Sequence, residues 1–424
     1  MRKVCVLGLG YIGLPTASVL ATHGLHVVGV DINDRVLQVI AQGESHIAEP
    51  GLRTLVEAAV KSGALRVQKT PEPADAFIIC VPTPLTQDHR ADLRYVEAAA
   101  RSIVPHLKKG NLVILESTVP PGTTSGLVKA ILEESALQAG ADFYLAYCPE
   151  RVLPGKILIE IVQNSRIIGG VDHRSAQMAQ ALYERFVEGE IYLTDATTAE
   201  MVKLAENTFR DVNIALANEL ARICAELDID VWRVIELANK HPRVHLHRPG
   251  PGVGGHCIAI DPWFIMEKLP EKAQLIRTSR QINDRQPHYV FELIRALTAD
   301  IPHPKITILG VAYKGDVDDT RESPALVIIR LLQEHGYEVA AYDPHVKEFE
   351  LPLLGLQEAC TKADCIAILA AHSDFRQLDP QTLRPLVRTP RLLDACHIIE
   401  PRTWEQRGFQ VSVLGSGANK HGIE

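Results

Sequence analysis

Cys257 closes the run Pro249-Gly250-Pro251-Gly252-Val253-Gly254-Gly255-His256-Cys257, and Asp261 follows four residues later. Glycines let backbone lie close to a ligand, and a helix starting just beyond would lower the thiol pKa. That makes Cys257 a candidate nucleophile; an inert buried thiol is the competing reading and suits so glycine-rich a loop less well. Upstream, Lys203, Asn207 and Arg210 stand at i, i+4 and i+7. On a helix they share a stripe about 60° wide. Such a stripe is either a solvated face or a ligand-facing wall, and the apolar character of the rest of the segment favours the wall.

Gly8-Leu9-Gly10-Tyr11-Ile12-Gly13 follows the apolar run KVCVL and opens LPTASVLATHG, and Asp31 ends the next apolar run, HVVGVD. This strand, turn, helix and acid spacing is the dinucleotide fingerprint: small residues let the backbone approach a pyrophosphate at a helix N-terminus. Asp31 suits ribose hydroxyls and repels a 2′-phosphate, so NAD is expected over NADP, with Arg35 tempering the preference. Thr83 in CVPTP, Thr118 in ESTVPPGT and Glu150 in YCPERVLPG end three further apolar runs. In an open α/β sheet they lie on the side where ligands bind. Thr83 and Thr118 are read as cofactor residues.

The elements that must hold these residues follow from the periodicity. KVCVLGLG, HVVGVDI, ALRVQ, AFIICVPT, LVILEST and FYLAYCPE are predicted strands alternating with amphipathic segments, with a last strand inside FVEGEIYLTD. That alternation predicts a doubly wound parallel sheet. Residues 197–227 contain no Gly or Pro and read as one long helix, capped by Thr197 or Thr198 and buried on several sides. DVWRVIELANK is a second helix, and helices resume near Pro262. After Pro302 and Pro304 the α/β alternation restarts, and the two α/β halves look related. The expected fold is α/β, with two Rossmann-like doubly wound domains joined by a long central helix and a helical middle domain. The expected boundaries are 1–196 for the NAD domain, 197–300 for the helical, dimer-forming domain with the cysteine loop, and 301–424 for the C-terminal domain.

Bulk properties remove several classes. The 424 residues carry a formal net charge of −8 and 5% aromatics, which argues against a nucleic-acid partner. No stretch reaches the roughly 18 apolar residues of a membrane span. Arg2 and Lys3 before VCVLGLGYIGLPTASVL imitate a signal peptide, but three glycines and Pro15 interrupt it. Eight cysteines without a Cys-x-x-Cys pair point to a reducing, cytoplasmic setting. His241, His245, His247, His256 and Cys257 cluster, yet their spacing matches no ordinary zinc pattern, so no metal is expected.

GLGYIGLP, VPTP, ESTVPPGT, CPERVLPG, KLAENTFRDVNIALANE, GPGVGGHC with Asp261, and YKGDVDDTRESPA occur in this order. Together they resemble the UDP-glucose/GDP-mannose dehydrogenase family along nearly the whole chain. The segment HPRVHLHRPGPGVGGHCIAIDPWFI is most similar to the branch acting on UDP-N-acetyl-D-mannosamine; branches acting on UDP-N-acetylglucosamine or UDP-glucose are the alternatives. Gly315-Asp316 departs from the Pro-Asn pair expected after Lys314. The resemblance implies a homodimer and a four-electron oxidation at sugar C6 that consumes two NAD⁺ and one water. It gives Cys257 the role of covalent nucleophile and Lys203 that of base. Lys203 and Asn207 stabilise the oxyanion, and Thr118, Glu150 and Asp261 order the water. Arg151, Val152 and Arg210 would line the sugar and diphosphate, with His241 and Arg243 at the acetamido sugar. Lys203, Asn207, Gly254, Tyr313 and Lys314 would also meet the substrate, and Arg321 would reach NAD. A one-step hydroxyacid-type dehydrogenase would not need Cys257, and a non-catalytic NAD sensor would not need a nucleophile at all.

Overall fold

In the computed structural model, residues 1–255 and 257–417 are described. The runs VCVL, AFII and LVIL are apolar at every position and buried on both faces, as central strands of a parallel sheet must be. Eight strands form the first sheet: β1 (Lys3–Leu7), β2 (His26–Val30), β3 (Leu65–Gln68), β4 (Ala76–Ile79), β5 (Leu112–Leu115), β6 (Tyr144–Tyr147), β7 (Arg166–Gly170) and β8 (Ile191–Asp195). Their order is β3-β2-β1-β4-β5-β6-β7-β8. Alternate residues feed opposite layers: Val4 and Val6 enter one core, Cys5 and Leu7 the other.

Two expectations need correction here. β7 (RIIGG) is absent from the predicted strands. It also pairs antiparallel with β6, through Ala146 opposite Gly170 and Tyr147 opposite Gly169, so β7 and β8 run against the other six strands.

The second sheet is wholly parallel: β9 (Lys305–Leu309), β10 (Glu338–Tyr342), β11 (Cys365–Ile368), β12 (Arg391–Asp394) and β13 (Gln410–Val413), in the order β10-β9-β11-β12-β13. Both sheets are doubly wound, and their first turns match. Gly8 (φ +89°) donates to the Val30 carbonyl at 2.8 Å, and Gly310 (φ +90°) donates to that of Tyr342 at 2.9 Å. The following amides, Leu9 and Val311, donate to Asp31 at 2.9 Å and Asp343 at 2.8 Å.

The long helix spans Ala196–Glu226. It begins one residue earlier than expected, so its cap is Asp195 and not a threonine. The Asp195 carboxylate accepts from the Thr198 amide at 2.9 Å and the Thr198 hydroxyl at 2.5 Å, a favourable charge at a helix N-terminus. The helix is also less enclosed than its composition suggests. Phe209, Leu216, Ile223 and Leu227 are 63, 42, 47 and 63% exposed. The chain divides into two compact units, Met1–Glu206 with Trp263–Pro270, and Asn207–Pro262 with Glu271–Glu424. Among the described residues, no helix is long and apolar enough to cross a membrane.

Candidate functional site

In the first unit the turn after β1 leads into the helix Gly13–Thr22. A Cβ on Gly8 would lie 2.6 Å from the Cys80 carbonyl oxygen, and one on Gly13 would lie 1.8 Å from that of Gly8. A Cβ on Gly10 would meet nothing within 4 Å. Packing therefore demands Gly8 and Gly13, whereas Gly10 keeps backbone open toward solvent, where a pyrophosphate can approach. Tyr11 is 40% exposed beside it and Ile12 is half-buried. Each oxygen of Asp31 accepts one amide, Leu9 at 2.9 Å and Asn33 at 2.9 Å. Lone pairs remain for ribose hydroxyls. Arg35 is exposed at the start of the next helix. These residues fit a dinucleotide.

Thr83, Thr118 and Glu150 do sit beyond the carboxyl ends of the adjacent parallel strands β4, β5 and β6. The Thr83 hydroxyl donates to the Thr118 carbonyl at 2.6 Å, tying two of these loops together. Glu150 is buried, with Arg166 Nη2 3.2 Å from its Oε2. Arg151 is committed to protein partners: its guanidinium meets Glu206 at 2.6 and 3.0 Å and the Ser165 carbonyl at 3.0 Å. Val152 packs against the core below the turn. Glu200 anchors the long helix, accepting the Gly122 amide at 2.5 Å and the Thr124 amide at 2.7 Å, and burial pushes its carboxyl up.

In the second unit the cysteine loop is fastened along its length. Gly250 donates to Asn218 at 3.0 Å and accepts from Gln286 at 2.9 Å. Gly255 donates to the Arg321 carbonyl at 3.0 Å. A Cβ on Gly254 would lie 2.8 Å from Tyr313 Cβ, and one on Gly255 (φ +82°) would lie 2.8 to 3.0 Å from the Tyr313 ring. The Glu322 carbonyl oxygen would lie nearer still to a Cβ on Gly254, at 2.5 Å, so the glycines are set by Tyr313 and the Glu322 backbone together. The Asp261 amide donates to the Cys257 carbonyl at 2.8 Å, so Cys257 stands exposed one turn before the helix Asp261–Lys268. Asp261 is 2% exposed, and its Oδ2 accepts from Asn207 Nδ2 at 2.5 Å. Residues 54 apart in sequence thereby join the cysteine loop to the polar stripe of the long helix. Lys203 is one turn before Asn207 on that helix and half-buried.

Arg210 is exposed, as are His241 and Arg243, whose amide donates to His241 Nδ1 at 3.3 Å. Burial and the Arg210 charge hold the His247 ring below its usual pKa. His256 lies outside the described residues. Lys314 is exposed, and Arg321 is held by Asp319 through two parallel contacts at 2.9 and 2.6 Å.

Asp343 and His372 escaped the sequence reading, although Asp343 ends a strand as Asp31 does. Asp343 Oδ2 accepts the Val311 and Ala312 amides at 2.8 and 3.1 Å, and His372 Nε2 lies 3.0 Å away. Its Oδ1 accepts the His345 and Val346 amides at 2.9 and 3.0 Å. His372 Nδ1 accepts from the Asp316 amide at 2.9 Å, so the ring proton belongs on Nε2, facing Asp343. Asp343 is saturated where Asp31 is not: the second turn is a lock on the Tyr313 loop. Gly315 and Asp316 fit this lock. A Cβ on Gly315 would lie 2.1 Å from the Ala371 carbonyl oxygen, and Asp316 takes φ +60° while its Oδ1 accepts the Ser373 amide at 2.7 Å.

Models of the UDP-glucose/GDP-mannose dehydrogenase family match the chain throughout: its NAD binding domain at residues 2–187, its central domain at 197–285 and its UDP binding domain at 307–401. The chain is 52% identical over 425 residues to a UDP-N-acetyl-D-mannosamine dehydrogenase of Methanocaldococcus jannaschii, covering 99% of this chain and 97% of that one. It is 49% identical over 399 residues to an NDP-N-acetyl-D-galactosaminuronic acid dehydrogenase of Ralstonia solanacearum, covering 91% and 94%. The solved structure of a UDP-D-ManNAc dehydrogenase from Pyrococcus horikoshii matches with a TM-score of 0.93 at 43% identity, covering 98% and 99%. Family models over most of the chain and relatives about half identical over nearly its whole length place it: this chain belongs to the UDP-glucose/GDP-mannose dehydrogenase family.

Proposed function

We propose that this protein oxidises the C6 hydroxymethyl of UDP-N-acetyl-D-mannosamine to a carboxylate in two successive two-electron steps at one site. The contact that carries the mechanism is Asn207 on Asp261, because it brings the stripe of the long helix to the base of the Cys257 loop. NAD⁺, held by the Gly8–Gly13 turn, Asp31, Thr83 and Thr118, supplies the hydride acceptor when bound. Lys203 takes the hydroxyl proton in the first oxidation. The Cys257 thiolate adds to the aldehyde carbon, forming a C–S bond as the carbonyl oxygen takes up a proton, and the resulting thiohemiacetal carbon is again sp³ and bears the C–H bond that the second oxidation breaks. The resulting thioester takes up one water, releasing the carboxylate and regenerating the thiol. Thr118, Glu150 and Asp261 order that water, and Lys203 and Asn207 donate to the oxyanion at each tetrahedral stage. Arg210, His241, Arg243, Tyr313 and Lys314 are assigned to the nucleotide and acetamido sugar.

The assignment of the sugar rests on His241-Pro242-Arg243-Val244 and on likeness to relatives bearing that name. The relative named for N-acetylgalactosaminuronic acid supplies the chief alternative. The enzyme works as a homodimer in the cytoplasm, and its product feeds cell-surface polysaccharide. The test is a panel of UDP-N-acetyl-mannosamine, -glucosamine and -galactosamine, UDP-glucose and GDP-mannose. The expected result is the highest kcat/KM on the mannosamine compound, with two NADH per substrate consumed. Cys257→Ser should release no more than one. A preference for another sugar overturns the substrate, and one NADH from the unaltered enzyme overturns the mechanism.

A further inference from the structure

Arg166 opens β7, the strand that runs against β6, and is 4% exposed. Its guanidinium faces Glu150 at 3.2 Å, the Ile161 carbonyl at 3.3 Å and Cys148 Sγ at 3.7 Å, and it lies over the rings of Tyr183 and Phe186 at 4.9 and 5.8 Å. Its Nε has no hydrogen-bond partner among the described residues. A guanidinium so placed loses most of its hydration, and a buried ion pair of this kind is a poor device for stability alone.

A second carboxyl lies in the same interior. Glu116, just past β5, accepts from Tyr183 Oη and, at 3.0 Å, from Cys80 Sγ. Burial pushes its carboxyl up, against the pull of Arg166, and the nearby Glu150 charge adds to the rise. Glu116 therefore holds its proton more tightly than an ordinary glutamic acid, and the guanidinium is left to Glu150. The far oxygen of Glu150 accepts the Arg151 amide at 2.7 Å, so both ends of the carboxylate are held. These contacts leave Glu150 little rotational freedom.

We infer that Arg166 is a positioning residue for thioester hydrolysis, aiming the Glu150 carboxylate at the attacking water. This rests on the proposed role of Glu150. Hydrolysis adds water across the Cys257 acyl bond: oxygen goes to the carbonyl carbon, a proton returns to sulfur, and no redox partner is needed. Arg166 transfers nothing; it fixes the group that receives the water proton.

Three variants of the full-length enzyme, each checked for folding, test this by rapid-quench and steady-state kinetics. Arg166→Lys keeps the charge and loses the planar guanidinium that meets Glu150, the Ile161 carbonyl and Cys148 at once. It should leave the first oxidation and KM within about threefold and slow hydrolysis between about tenfold and 10²-fold, the scale of a misplaced catalytic group. NADH should then appear as a burst of two per subunit before a slow steady state. Glu150→Asp withdraws the carboxylate without removing its charge and should show the same burst, which keeps the test alive if Arg166→Lys does not fold. Equal loss of both oxidations and hydrolysis in the folded variants, or unchanged hydrolysis, overturns the inference. Glu150→Gln separates the two claims: wild-type hydrolysis there defeats the role of Glu150 itself. Slow hydrolysis there beside normal Arg166→Lys and Glu150→Asp defeats only the positioning.

Discussion

A methyl added at Gly13 would lie 1.8 Å from the Gly8 carbonyl oxygen, whereas one added at Gly10 meets no atom within 4 Å. The two glycines of one turn answer to different demands, packing at one and ligand approach at the other. Gly13→Ala should destabilise the protein by about 3 kcal/mol, the upper range for overpacking against backbone, read as a lower urea midpoint. Gly10→Ala should stay within about 0.5 kcal/mol of the parent stability. Its NAD affinity should still fall about tenfold or more by titration calorimetry, since the methyl stands on the open side of the turn. Equal NAD affinity in Gly10→Ala and the parent would remove the pyrophosphate from this turn.

At the scale of elements, the two α/β halves share a turn and differ in what its acid does. Burial raises the Asp343 carboxyl, but the His372 hydrogen bond and the His345 and Val311 amides outweigh it and hold the group at about 2. A carboxyl depressed on folding contributes stability that is present above the ordinary value of about 3.9 and is lost as pH falls toward about 2. Asp343→Asn should therefore cost about 1–3 kcal/mol at neutral pH, the range for a buried hydrogen-bonded charge. Its urea midpoint should converge on that of the parent as pH falls from about 4 to about 2. A gap that stays constant over that range would mean Asp343 is not the titrating lock. Because the same contacts hold the Tyr313 loop, and Tyr313 presses on Gly254 and Gly255, this lock also shapes the bed of Cys257.

At the scale of the whole molecule, Phe209, Leu216 and Ile223 recur every seven residues and leave an apolar stripe exposed on the long helix, with exposed Leu227 just past its end. Heptad spacing suits packing against another helix, and a second copy of the chain is the partner proposed. Leu216→Glu with Ile223→Glu should raise the dimer dissociation constant by about 30-fold or more, if these are central contacts worth about 2 kcal/mol. Sedimentation should then show monomer where the parent is dimeric. A parent that is monomeric, or a variant that stays dimeric, would retire the proposal.

Much of this was legible in the sequence because it is local. Turn glycines, the acid closing β2, apolar strands, the uninterrupted helix and the residues on its stripe are set by periodicities of a few residues, and these follow from backbone geometry. The reversed pairing of β7 on β6 was not legible, nor was Asp261 on Asn207, Arg166 on Glu150, or His372 on Asp343. A lone arginine at the head of an apolar strand was the one available sign of the Glu150 contact. These pairings join residues 16 to 54 positions apart, and which carboxylate meets which cation depends on how strands and helices pack together. The sequence by itself determined which residues this protein can use. Tertiary structure decided which of them are held in place, because only close packing brings distant groups within hydrogen-bond reach and strips away the water that would otherwise satisfy each alone.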